Sequence, residues 1–306
     1  MNEISLCAYA KLNLYLDITG KRNDGYHLLE TVMQSVDLCD IVTIKMSEKV
    51  GASTVGCSDP RIPDGRKNIC FKAANYFYTA ARRYPASEIF IEKRVPCAAG
   101  MGGGSADAAA VLIGLNKLMG EPLSQSQLLN VAARTGADVP FCLVGGTKLC
   151  RGVGDDIRNE VELPERVYLL VMPDFLCDTH GAYVIYDENP LPQRNAMKRF
   201  LKSGEDFPKA MYNVFGVLYE NEKIDGIIEK LKSLGAEGAC LTGSGSAVFG
   251  VFKDERSAAE AAKEFPNYFT AVCKPLKYGT RIIDLKIEEK SDNYGNNSSN
   301  NVTEDA

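Results

Sequence analysis

The chain has 306 residues, 45% of them apolar and 25% charged, and its 35 Lys+Arg against 40 Asp+Glu leave a net charge of −5. This is the mixture of a soluble globular protein with room for two domains. Because the two signs are interspersed, no electrostatic footprint for nucleic acid or an anionic membrane is present, and the expected partner is a small molecule.

Residues 4–18 alternate apolar and polar side chains as a strand does, and GKRNDGY (20–26) carries Asn-Asp-Gly turn chemistry. A second strand is expected over 40–46 and loops with short strands over 51–67. Helical spacing runs from Asn68 to Arg83 and stops at Pro85; EIFIEKRV (88–95) then alternates as a strand and points into PCAAGMGGGSADAAA. Ser105 is the expected N-cap of the following helix, with Asp107 in its first turn, and Gly120 and Pro122 end it. Ser124-Gln125-Ser126-Gln127 reads as a capping box for a helix that Gly136 closes. Beyond a strand at 166–172, helical stretches are expected near 193–203, 208–220, 223–234 and 255–264, with strands near 247–252 and 281–287. The segment 289–306 is almost without apolar residues and reads as a disordered polar tail.

Ten cysteines show no C-x-x-C pair, so neither zinc nor a disulfide framework has its spacing; reduced thiols in a cytoplasmic protein are expected. The N-terminal segment has no secretory pattern, and no apolar run reaches the ~18 residues of a membrane span.

Gly100, Gly102, Gly103 and Gly104 crowd ahead of Ser105. Glycine permits positive φ and close approach of a ligand to the main chain, and the first amides of a helix lack internal partners, so the stretch is an anion cradle. No lysine follows as in a Walker loop, and serine stands where a dinucleotide fingerprint needs glycine. Asp138 follows a helix end, where it either caps the next helix or serves chemistry. Lys11 is a charge within an apolar strand, hence outward-facing or paired, and Asn13 shares its side of that strand. Tyr26-His27 offers a flat ring beside a donor and acceptor, which suits a pyrimidine. Thr242-Gly243-Ser244-Gly245-Ser246 is a second glycine loop.

Three stretches in this order, AYAKLNLYL, VPCAAGMGGGSADAAA and LTGSGSAVFG, resemble the motifs of the GHMP kinases. The resemblance implies an α+β fold of two domains: an N-terminal ribosomal-S5-like domain (1–150) holding ATP, and a C-terminal ferredoxin-like domain (151–288), with the acceptor between them. It further implies Asp138 as the base for an acceptor hydroxyl and Lys11 as its stabiliser. Gly100, Gly102, Gly103, Gly104 and Ser105 would take the ATP phosphates, with the Ser105 hydroxyl also near Mg2+, and adenine would lie near Lys93 and Asn68; Asn116 would contact the nucleotide or hold the loop.

AKLNLYLDITGKRNDGYHLLETVMQSVDLCD and TGADVPFCLVGG resemble one branch of that family, whose acceptor carries a cytidine diphosphate on a methylerythritol and is phosphorylated at its 2-hydroxyl. Tyr26 would then cover one face of cytosine, His27 its polar edge and Tyr183 the opposite face, with Asn13, Thr179, Gly243 and Ser244 also lining the acceptor site. The family's loop carries a second serine where this chain has Ala106. A mevalonate- or homoserine-type kinase has no base to stack, and a non-catalytic nucleotide-binding regulator needs neither Lys11 nor Asp138. A serine hydrolase lacks its G-x-S-x-G elbow here.

Overall fold

Among the described residues the strands form two sheets in which antiparallel pairing predominates, one of nine strands and one of four. The computed structural model describes residues 2–48, 50–192, 194, 196–219 and 221–287; the expected polar tail lies outside the described residues. Strand β1 (Glu3–Lys21) turns through Asn23-Asp24-Gly25 into β2 (His27–Met46), and β3 (Ala52–Cys57) pairs in parallel with β4 (Ala86–Glu92) across helix α1 (Ile69–Ala81). Helix α2 (Gly103–Leu118) lies on β1 and β2. Its alanines 106 and 108–110 are fully buried, and a Cβ on Gly114 would stand 2.6 Å from Ile44 Cδ1. The small residues therefore set how closely helix and sheet approach.

Helix α3 (Gln125–Thr135) opens with the expected capping box, in which Ser124 accepts from Gln127 N and the Gln127 side chain accepts from Ser124 N, and Gly136 is its C-cap. Helix α4 (Val139–Val144) and strands β5 (Thr147–Arg151) and β6 (Asp156–Glu160) follow.

The remainder comprises β7 (Val167–Met172), α5 (Thr179–Glu188), α6 (Met197–Leu201), α7 (Phe207–Ala210), β8 (Tyr212–Asn213), α8 (Val214–Leu218) and α9 (Glu222–Ser233). Then come β9 (Gly238–Leu241), β10 (Val248–Phe252), α10 (Glu255–Ala262), β11 (Phe269–Cys273), β12 (Pro275–Leu276) and β13 (Thr280–Lys286). The smaller sheet has the order β11-β7-β10-β9, the arrangement of a ferredoxin-like unit, with α9 and α10 packed on it. The larger sheet runs β13-β1-β2-β4-β3, with β5 and β12 also on β2, β6 on β5, and β8 on β1. The large sheet thus extends through Glu160, and the chain returns to it at β13.

Three local expectations change. The N-cap of α2 is Gly102, not Ser105, because Gly102 adopts φ 68° and starts the helix earlier; Asp107 then falls beyond the first turn and is buried. The stretch 208–220 is two short helices split by β8, since Tyr212 and Asn213 pair with Tyr15 and Leu16 of β1. Strand β2 begins at His27 rather than near 40. No helix among the described residues is long and apolar enough to cross a membrane.

Candidate active site

β1 is regular at its start and irregular where chemistry is expected: its register against β2 shifts between Tyr9 and Lys11 and again between Asn13 and Tyr15. Such bulges re-aim the side chains between them. Lys11 and Asn13 are buried polar residues on one face of this strand, and after the second shift Leu16, opposite Thr31, takes that face. The Lys11 ammonium donates to Asn13 Oδ1 (2.7 Å) and lies 3.4 Å from Asp138 Oδ2. Asp138 stands at the N-terminus of α4, yet its side chain makes no capping bond. The capping alternative is therefore not realised: the carboxylate faces the lysine and keeps 32% of its surface exposed.

Asn13 does more than line a pocket. Its Oδ1 also accepts from Gly243 N (3.0 Å), its Nδ2 donates to Thr31 Oγ1 (2.9 Å), and its backbone N donates to Thr242 Oγ1 (3.1 Å). The three sequence motifs are thus joined directly. Thr242 Oγ1 donates in turn to Gly100 O (3.3 Å), Ala247 N donates to Ala99 O (3.2 Å), and Lys11 N donates to Met101 O (2.9 Å). Two glycines of the first loop are explained by this junction. At Gly100 (φ 77°) a Cβ would come 2.1 Å from Thr242 O, and at Gly102 it would press on the Lys11 side chain at 3.0 Å.

The loop separates two recesses. One, of ≈ 340 Å³, is lined by Ile62, Ile69, Lys93 and the main chain from Pro96 through Ser105. The other, of ≈ 160 Å³, is lined by Lys11, Asn13, Asp138, Thr179, Tyr183 and Ser244 among others, including Gly243. Gly100 and Gly102 face both. An anion on the glycine loop and a group beside Asp138 would therefore be neighbours. Ser244 and Thr179 share a hydroxyl–hydroxyl bond of 2.8 Å, which ties the second loop to the start of α5.

The remaining expected residues divide. Lys93 borders the first recess, but its ammonium is held by two buried carboxylates, Asp40 and Asp107 (2.8 Å). Asp40 Oδ1 also accepts from Arg94 N and Val95 N, and Asp107 Oδ1 is buried without a partner among the described residues. Burial alone would lower the Lys93 pKa; the two carboxylates outweigh it and hold it above the ordinary range. Burial, with Asp40 adding and Lys93 opposing, lifts the Asp107 carboxyl to about 8. Asn68 caps α1, accepting from Cys70 N (2.8 Å) and donating to Pro63 O (3.0 Å), and is not among the residues that line the recess.

Asn116 stands far from the glycine loop. It lies 13 residues along α2 from Gly103, about 20 Å at 1.5 Å per residue. Its side chain bonds both ways to the Leu123 main chain (3.0 Å each) and so holds the loop after α2. Ala106 is fully buried in the core, so the missing second hydroxyl would not have faced the loop's recess.

Tyr26 is 64% exposed, whereas Tyr183 stacks on His27 itself (centroids 4.7 Å, planes 21°) and sets an edge against Phe215. Tyr183, expected opposite Tyr26 across a base, and His27, expected at its edge, thus lie in direct contact. His27 Nε2 lies 2.8 Å from Asp187 Oδ1. Sequence reasoning missed Asp40, Thr31 and Asp187, each a polar residue whose partner is distant in the chain.

Residues 68–146 match the GHMP kinases N terminal domain family and residues 196–271 the GHMP kinases C terminal family. A 4-diphosphocytidyl-2-C-methyl-D-erythritol kinase of Caldicellulosiruptor saccharolyticus is 39% identical over 264 residues, 84% of this chain and 91% of its own. Those named alike in a Thermoanaerobacter species and in Clostridium tetani are 38% and 37% identical over 94% and 87% of this chain and 99% and 96% of theirs. A crystal structure of 4-(cytidine 5'-diphospho)-2C-methyl-D-erythritol kinase superposes with a TM-score of 0.69 at 28% identity, covering 89% of this chain and 99% of that one. A homoserine kinase from Cytophaga hutchinsonii shares the fold at a TM-score of 0.73 and 20% identity, over 92% and 98% of the two chains. Two glycine loops bonded to one Lys–Asn strand, two matching family domains and relatives of this identity agree: the chain belongs to the GHMP kinase family.

Proposed function

We propose that this protein is an ATP-dependent kinase that phosphorylates the 2-hydroxyl of 4-diphosphocytidyl-2-C-methyl-D-erythritol, a step toward isoprenoid precursors. The observation that carries the reading is the shared wall: Gly100 and Gly102 face both the recess beneath the helix start and the recess that holds Lys11 and Asp138. Phosphoryl transfer needs a phosphate cradle, charge neutralisation and a base in one line, and this arrangement supplies a cradle beside a carboxylate–ammonium pair. The relatives' shared name gives the substrate.

In this reading the amides at the start of α2 and the Ser105 hydroxyl hold the ATP phosphates. Asp138 accepts the proton of the acceptor hydroxyl as its oxygen bonds to the γ-phosphorus and the bond to the β-phosphate oxygen breaks, releasing ADP. Lys11, fixed by Asn13, orients the Asp138 carboxylate and faces the charge that develops on the reacting oxygen. Ser105 and the phosphate oxygens would hold Mg2+, which would neutralise phosphate charge when bound. Ten free thiols and dependence on ATP suit a cytoplasmic enzyme.

Another small-alcohol kinase of the family, or a regulator without catalysis, is tested by the same measurement. Purified protein with Mg-ATP is offered the diphosphocytidyl compound, mevalonate, homoserine and galactose, and ADP release is followed. Release with the first is expected; release with another alone, or with none, would overturn the reading.

A further inference from the structure

We propose that Asp187 is a positioning residue that fixes which His27 nitrogen carries the proton, and thereby makes the acceptor site select an exocyclic amine, as on cytosine, over a carbonyl, as on uracil. The inference rests on the cytidine-substrate reading above and deepens it.

Asp187 sits on α5 one turn after Tyr183, so both side chains leave the same helix face. Tyr183 covers a face of the His27 ring, Tyr186 sets an edge against it (5.8 Å, 88°), and Asp187 Oδ1 meets its Nε2 at 2.8 Å. The second oxygen of Asp187 binds Lys21 Nζ at 2.5 Å. The Lys21 ammonium, and then the His27 contact, hold the Asp187 carboxyl below the usual carboxylate range. An ionised carboxylate can only accept, so His27 Nε2 must carry the hydrogen. In the neutral ring Nδ1 is then left as an acceptor, and it makes no hydrogen bond among the described residues. The imidazole is held on a face, on an edge and at one nitrogen, with 8% of its side-chain surface exposed.

A ring so fixed presents a lone pair. The amino group of cytosine can donate to it; the O4 of uracil would bring a second lone pair against it. Discrimination is then a matter of one pair made or one pair opposed, which a polar site can express as a large ratio of kcat/KM.

The chain has only two histidines, His27 and His180, so a 15N-resolved imidazole spectrum of the whole protein at pH 8 reads the tautomer directly, with His180→Asn to assign it. The expected result is hydrogen on Nε2 of His27 in the wild type and a tautomer mixture in Asp187→Ala. In parallel, kcat/KM is compared for the cytidine substrate and its uridine analogue. We expect a wild-type preference of about 100-fold or more, reduced about tenfold in Asp187→Ala. Wild-type His27 protonated on Nδ1, or a variant with the full wild-type preference, would overturn the inference. Should the variant fail to fold, the wild-type spectrum still decides. A wild type that phosphorylates neither compound would instead reject the kinase reading.

Discussion

Asp138 and Lys11 are separated by more than a hundred residues and meet at 3.4 Å, with the carboxylate free of any capping duty. Asp138→Asn should therefore leave the helix start intact and remove the proton acceptor alone. Turnover is expected to fall about 10²–10⁴-fold, the usual worth of a positioned base, with an unchanged circular dichroism spectrum; wild-type turnover would reject the role. Asn13 can be separated from a direct substrate contact in a similar way. Its Oδ1 is shared between Lys11 and Gly243, so Asn13→Ala should release the lysine and lower kcat about 10–100-fold with little change in acceptor KM, as expected when alignment rather than binding is lost. A rise in KM at constant kcat would make it a binding residue. Lys11, Asn13 and Asp138 were legible in the sequence because a charge in an apolar strand and a carboxylate after a helix end are locally unusual. Asp187 was not: it is one acid among many on a surface helix, and only the fold brings it to His27.

At the scale of elements, the junction from β4 to α2 carries three buried charges where two would balance. Lys93 lies between Asp40 and Asp107, and burial raises the Asp107 carboxyl to about 8 from an ordinary value near 3.8. A carboxyl raised by folding binds its proton more tightly in the native state, so its contribution is greatest below its unfolded value and is lost as pH rises toward 8. Asp107→Asn should abolish that loss, and its melting temperature relative to wild type should climb between pH 4 and 8; a parallel pH dependence for both proteins would contradict the assignment. Removing the cation instead leaves two buried carboxylates without it. Lys93→Met is expected to cost about 3–5 kcal/mol by urea denaturation, the penalty for breaking a buried pair from one side. The family resemblance suggested only that Lys93 lay near the nucleotide. The sequence disclosed neither its burial nor Asp40, because the alternation of EIFIEKRV says which side chains share a face and nothing about what covers that face.

Taken whole, the molecule has two hydrophobic cores, and strands of the larger sheet, β1, β2 and β5, contribute side chains to both. Ile4, Leu6 and Ala8 of β1 pack with α1, α2 and α3, while Ala10, Leu12, Leu14, Leu16 and Ile18 pack with the smaller sheet and its helices. The active-site face of β1 lies at this change of partner, and β13 returns from the C-terminal region to the other edge of the same strand. The apolar alternation of β1 was readable in advance, as were the three motifs; that β1 and its neighbours in the larger sheet serve two cores was not, since it follows from long-range pairing. Separate folding of the two regions would require β1 to lose half its packing, so unfolding of either should expose the other. We therefore expect one urea transition, with amides of α2 and of β10 losing hydrogen-exchange protection together. ATP at about 100 times its Kd should shift that single transition by about 2.7 kcal/mol, because ligand binding stabilises the whole cooperative unit to which its site belongs. Two resolved transitions, with only α2 protected by ATP, would show instead that the glycine-loop contacts between Gly100 and Thr242 are too weak to couple the halves.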